Sequence, residues 1–168
     1  MIILACEGPS EVALINKLLD DNALIFDRKD ILDRRPIHFR QPKIIAPLIN
    51  TLPIDEPLIF YRIGDTQKDK YDFSCLSFRS DKITEYKVCT KPEIEILVII
   101  KENLYEKYLK TKSKVQPKQF LKNEFNGLGS FSDYIQLLSY KFLQNGMTKR
   151  SKSFAFLKTR ILASFNPF

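Results

Sequence analysis

Residues 2–6, IILAC, are a continuous apolar run that stops at Glu7-Gly8-Pro9-Ser10-Glu11. A short unbroken run containing β-branched residues predicts a buried strand. Pro9 suits the first position of a helix, where its missing N–H would have had no partner, and Val12, Leu14, Ile15, Leu18 and Leu19 then recur at helical spacing. The opening therefore predicts a strand, a tight turn and a helix. Residues 36–40 alternate and predict a second strand carrying His38. From Pro42 onward, Ile44, Ile45, Leu48, Ile49 and Leu52 fit an amphipathic helix that Pro47 kinks or shortens. Residues 58–63 predict another strand, ending at Gly64-Asp65. Phe73, Cys75, Leu76 and Phe78, then residues 83–88, predict two more, paired through a turn near Ser80-Asp81. Pro92 opens a long helical pattern through Leu109. Residues 117–125, 131–143 and 151–165 carry three further helical patterns, separated by Asn126-Gly127 and Asn145-Gly146.

Strands alternating with helices predict an α/β fold with a mostly parallel sheet, flanked by helices, and a helical C-terminal third. The 168 residues suffice for one compact domain. Within it, residues 1–110 form the α/β core and residues 111–168 a basic helical extension packed on that core. The 44% hydrophobic and 28% charged composition argues against disorder. The longest apolar run, residues 94–100, is interrupted by Glu95 and is too short to span a bilayer. The first residues lack the basic segment and small-residue cleavage site of a secretion signal, so a cytoplasmic location is expected. Cys6, Cys75 and Cys89 have no metal-type spacing and read as reduced thiols.

Lys and Arg outnumber Asp and Glu by 27 to 20, giving a formal charge of +7. The basic residues are rich between positions 101 and 160. A polyanionic partner follows from that excess, DNA or RNA without distinction, beside the plainer reading of a basic surface. His38 is the only histidine, which makes a histidine zinc site or a Ser-His-Asp triad improbable. Neither a P-loop nor a dinucleotide-binding glycine pattern occurs. The aromatic residues of the C-terminal third fall mostly on helix faces, where core packing explains them better than base stacking.

In parallel sheets functional groups collect beyond the C-terminal strand ends. If the first and third strands are neighbours, Glu7 and Asp65 emerge together there, and adjacent carboxylates repel unless something compensates their charge. A divalent cation does so, and Mg²⁺ favours one or two carboxylates with waters left for a phosphate. Gly8 and Gly64, beside the two acids, keep the turns tight and the approach open. Glu11 falls in the first helical turn, where a carboxylate also suits the helix dipole, so a structural and a ligating role both stand. Gln67, Asp69 and Asp72 follow Asp65 in a polar segment that, without Glu7, would read as a solvated turn.

These residues resemble the Toprim superfamily, whose members carry a glutamate and glycine after the first strand and an Asp-x-Asp after the third. Glu7-Gly8-Pro9-Ser10-Glu11 resembles the E-G-x-[ST]-E form of OLD-type and RloB-like proteins of bacterial phage defence and mobile elements. Lys91-Pro92-Glu93-Ile94-Glu95 resembles the P-x-x-E segment of the RloB-like group, with Pro92 and Glu95 matching. The resemblance covers roughly residues 1–125 and implies a Mg²⁺-dependent (or Mn²⁺-dependent) nuclease or phosphoryl-transfer protein. On it, Glu7, Asp65 and Glu95 are the catalytic acids, Glu7 doubling as general base. Glu7, Glu11, Asp65, Gln67, Asp69 and Glu95 are the metal ligands, with Glu11 and Glu95 completing a second position. Arg62 or Lys68 would contact a phosphate, and Lys149, Arg150 and Lys152, at the start of the last helix, would contact nucleic acid. The motif departs from the family at Gln67, where the second acid is an amide. That departure favours the alternative, a catalytically degenerate nucleic-acid-binding or regulatory subunit. A homodimer or a partner protein of a defence system is compatible with either, and no membrane is expected.

Overall fold

The computed structural model describes residues 1–64, 70–90, 94–125 and Ile135. Four strands, β1 (Ile2–Cys6), β2 (Ile37–His38), β3 (Leu58–Gly64) and β4 (Ile83–Cys89), form one all-parallel sheet in the order β2-β1-β3-β4. The fold is α/β. Helix α1 (Pro9–Asp20) links β1 to β2, and the short α2 (Ala46–Ile49) lies between β2 and β3. The two crossovers travel in opposite directions along the sheet, so a common right hand puts their helices on opposite faces. The core divides accordingly. Leu14, Ile15 and Leu18 of α1 pack with Leu4, Cys6, Tyr61 and Ile63 on one face, whereas Ala46 and Ile49 of α2 join Ile3, Ala5, Leu58 and Phe60 on the other. Strands buried on both sides read as continuous apolar runs, which is why 2–6 and 58–63 do. Burying side chains the size of Leu14, Ile15 or Leu18 contributes about 1.5–3 kcal/mol each, before the entropy of ordering them.

Helix α1 ends at Asn22, whose φ of 50° closes the helix: Ala23 N–H donates to Leu18 O (2.9 Å) and Asn22 N–H to Leu19 O (3.1 Å). The same pair of bonds recurs at Asn103, φ 57°, with Leu104 N–H to Ile99 O and Asn103 N–H to Ile100 O. Asparagine tolerates this left-handed backbone, and the two bonds satisfy carbonyls that the last turn leaves open. Consequently the expected single helix through Leu109 is two, α3 (Glu95–Lys101) and α4 (Tyr105–Leu109). Helix α5 (Pro117–Glu124) then packs on α3 through Phe120, Leu121, Val98 and Ile99. Pro92 and the helical patterns at 131–143 and 151–165 fall outside the described residues, apart from Ile135, which is buried in the core cluster that includes α1.

Two local expectations are corrected. The segment around Phe73, Cys75, Leu76 and Phe78 is not a strand but a 3₁₀ stretch, Ser74–Lys82. Asp72 starts it by accepting the Ser74 N–H (2.9 Å), a side-chain turn that competes with strand pairing. Leu76 and Arg79 are then buried and Phe73 partly so, a period of three that belongs to a 3₁₀ face. Strand β4 therefore pairs with β3 in parallel and has no hairpin partner among the described residues. The expected helix from Pro42 is split at Ile45 into a 3₁₀ turn (Pro42–Ile44) and α2, because Pro47, lacking an N–H, fits only a first helical turn. Among the described residues, no helix is long and apolar enough to cross a membrane.

Candidate functional site

The strand order reverses direction between β1 and β3, since the chain leaves β1 toward β2 on one side and returns to β3 on the other. The crevice beyond the C-terminal ends of such a pair is where open parallel sheets bind ligands. Cys6 is in register with Ile63, and the Glu7 N–H continues the ladder to Ile63 O at 2.9 Å. The Glu7 side chain then lies over the bare Cα of Gly64. A β-carbon on Gly64 would come within 2.6 Å of Glu7 Cβ and closer still to the carboxylate. Gly64 is thus required by the approach of Glu7, and the residue after it is Asp65. Parity along β3 places Arg62, two residues earlier, on the same sheet face.

The third strand end joins this junction. Thr90, buried just after β4, donates its N–H to Gly64 O (3.0 Å) and its hydroxyl to Glu11 Oε1 (3.3 Å). Glu11 stands in the first turn of α1, close enough to Gly8 that a β-carbon there would meet Glu11 Oε2 at 2.9 Å. Glu95 opens α3 and is 7% exposed. Glu7, Glu11 and Glu95 line one cleft of about 500 Å³. On the β2 side, His38 Nε2 lies 2.9 Å from the Glu7 carbonyl oxygen. A carbonyl only accepts, so that ring nitrogen carries the proton and clamps the backbone under Glu7. Nothing in the pattern around His38 announced this bond, which depends on β2 landing beside β1.

Electrostatics around the junction are set by burial. Burial pushes the Cys6 thiol well above its usual range, and the Glu11 charge adds to the shift, so Cys6 is inert packing beneath the site. Arg62 is 8% exposed, with its guanidinium 4.6 Å from the centre of the Tyr71 ring. Burial pushes the Tyr71 phenol up to about 12; Arg62 opposes the shift, while the charges of Glu85, Cys6 and Glu7 add to it. Arg62 is therefore a fixed positive charge stacked inside the sheet face that carries Glu7, rather than a side chain reaching into solvent.

Of the residues singled out from sequence, the structure brings Glu7, Glu11 and Glu95 to one cleft and sets Arg62 beneath the adjoining face. Asp65, Gln67, Lys68, Asp69, Lys149, Arg150 and Lys152 lie outside the described residues. Among the described residues, no group of three or more His, Cys, Asp or Glu side chains is arranged to hold a metal ion. The side-chain oxygens that share the cleft, the carboxylates of Glu7, Glu11 and Glu95 with the hydroxyls of Ser10 and Thr90 and the amides of Gln116 and Gln119, suit hard cations such as Mg²⁺ or Mn²⁺ and not thiophilic metals. Three residues that sequence reasoning did not select also line it: Arg40, Lys118 and Lys122. Comparison with protein-family models, curated proteins and solved structures finds no match for this chain.

Proposed function

We propose that this chain is a Toprim-like, divalent-cation-dependent phosphodiester hydrolase acting on nucleic acid. The observation that carries the reading is the seating of Glu7 on Gly64, immediately before Asp65, at the point where the parallel sheet changes direction. A half-buried carboxylate held over a glycine that a second acid follows in sequence is costly for folding alone, and a cation compensates it. Glu7 and Asp65 would hold Mg²⁺ or Mn²⁺, with Gln67 or Asp69 beside them and Glu11 and Glu95 at a second position. When bound, such ions stabilise charge on the attacking and leaving oxygens of an in-line displacement. The chain's own groups do the rest. Glu7 accepts the proton of the attacking water, Thr90 orients Glu11, His38 fixes the backbone of Glu7, and Arg62 lowers the cost of gathering carboxylates on one face.

A second reading, a nucleic-acid-binding protein without turnover, is favoured by Gln67 in place of an acid and by the lack of a three-carboxylate group among the described residues. Cleavage of single- and double-stranded DNA and RNA, with Mg²⁺ or Mn²⁺ titrated in, separates the two. The hydrolase reading expects metal-dependent cleavage that Glu7→Gln and Asp65→Asn each abolish. Salt-sensitive binding with no cleavage at any metal concentration supports the second reading and overturns the first.

A further inference from the structure

We propose that Arg40, Lys118 and Lys122 are the phosphate grip of the cleft, and that its ligand is a single nucleic-acid strand. The proposal rests on the reading above for what happens at the cleft floor, but the grip binds with or without turnover. Lys118 and Lys122 are four residues apart on α5 and share a helix face. Arg40 follows β2, at the other end of the strand order from β4 and the α3 helix on which α5 packs. The cations thus reach the cleft from two sides of the sheet, while Glu7, Glu11 and Glu95 supply its carboxylates.

What marks these three is that they stand at an acid-lined cleft and yet are left open. On the same helix, Glu124 is taken by Lys107 at 2.6 Å, and Arg28 is taken by Asp20 at 2.6 Å. Arg40, Lys118 and Lys122 are exposed and have no ion-pair partner among the described residues, although carboxylates line the same cleft. Cations left open around an acidic floor attract a polyanion and hold its backbone at the rim, clear of the repelling carboxylates. A volume of about 500 Å³ is that of a small-ligand site. Within its walls it takes a short stretch of one strand, whereas a base-paired duplex would lie across its mouth.

The test is fluorescence anisotropy of a labelled single-stranded oligonucleotide, with EDTA present, between about 50 and 200 mM salt. Each phosphate contact to a single strand contributes about 0.7 to the logarithmic salt slope, so Lys118→Gln/Lys122→Gln lowers the slope by about 1.4. The unmodified chain then loses about sevenfold more affinity than the variant across that fourfold rise in salt. Arg40→Gln lowers the slope by about 0.7. Lys29→Gln/Lys82→Gln makes the same net-charge change as the lysine pair at the opposite end of the strands, near Ile31 and Ile83, and shifts the slope less. The proposal is overturned by an unchanged slope in the Lys118/Lys122 variant, by an equal drop in the Lys29/Lys82 control, or by tighter binding of the duplex than of the single strand. Because EDTA removes turnover from the assay, absent cleavage in Mg²⁺ with the slope change intact refutes the hydrolase and supports the grip.

Discussion

Replacing Gly64 by Ala tests the junction directly. The new β-carbon would lie 2.6 Å from Glu7 Cβ, a separation that real structures do not tolerate, and closer to the Glu7 carboxylate. The Glu7 backbone cannot yield easily, because its N–H is bonded to Ile63 O and its carbonyl to His38. Forcing a methyl into such a site costs about 1–3 kcal/mol. Against that, Ala loses less backbone freedom on folding than Gly, a gain of about 0.4–1 kcal/mol where the backbone is compatible. The net expectation is a loss of about 1–2 kcal/mol, or a fall in Tm of about 2–8 °C for a chain of this size. The decisive measurement is a double-mutant cycle by urea or thermal unfolding. In a Glu7→Gly background the conflict with both the β-carbon and the carboxylate is gone, so the Gly64→Ala penalty shrinks by about 1 kcal/mol, a coupling typical of touching residues. An equal penalty in both backgrounds would show that Glu7 does not lie on Gly64, and would remove the geometric basis of the proposed site. The neighbouring Gly8→Ala is a built-in contrast: its β-carbon would meet a single side-chain oxygen, Glu11 Oε2 at 2.9 Å, and no backbone or β-carbon, so it costs less than Gly64→Ala.

Two more outcomes follow from buried polar groups. Arg79 is 2% exposed, and its Nε and Nη1 have no hydrogen-bond partner among the described residues, only Nη2 reaching Leu52 O at 3.1 Å. Arg79→Met should therefore hold or raise Tm, whereas Arg79→Ala should lower it through the lost packing of the side-chain stem; a marked loss with Met would mean that the charge itself is compensated. Tyr71, with its phenol raised to about 12, favours the folded state fully below the unfolded tyrosine value near 10, and that contribution is lost as pH climbs from about 10 to about 12. Spectroscopic titration should find one late-ionising tyrosine that disappears in Tyr71→Phe, together with a shallower fall of stability across that window; a Tyr71 that ionises with the exposed tyrosines refutes the burial of its phenol.

What could be read in advance divides along physical lines. Strands β1 and β3 are buried on both faces and α1 on one, so composition and period alone reveal them. The Ser74–Lys82 stretch misled because four apolar residues within six positions imitate alternation, while the deciding spacing was the period of three that includes a buried arginine. The break at Asn103 was overlooked because helical spacing continues across it, although the asparagine itself is the kind of residue that ends a helix. In the site, Glu7 and Glu11 are legible as acids at element ends, and Glu95 through the resemblance of its Pro92-x-x-Glu95 segment. His38, Thr90, Arg40, Lys118 and Lys122 are not, since each matters through a neighbour that only the tertiary arrangement supplies.

The register of Cys6 with Ile63 joins parts of the chain that are remote in sequence, and nothing local holds Glu7 near Gly64 before those strands meet. Loop-closure entropy opposes that meeting until the apolar faces of both strands are covered. Glu7 and Gly64 are therefore kept apart while the chain is immature and are brought together only by completion of the central sheet. Folding itself assembles the junction: a half-folded chain already carries Glu7 and Gly64 but not the strand register that seats one on the other.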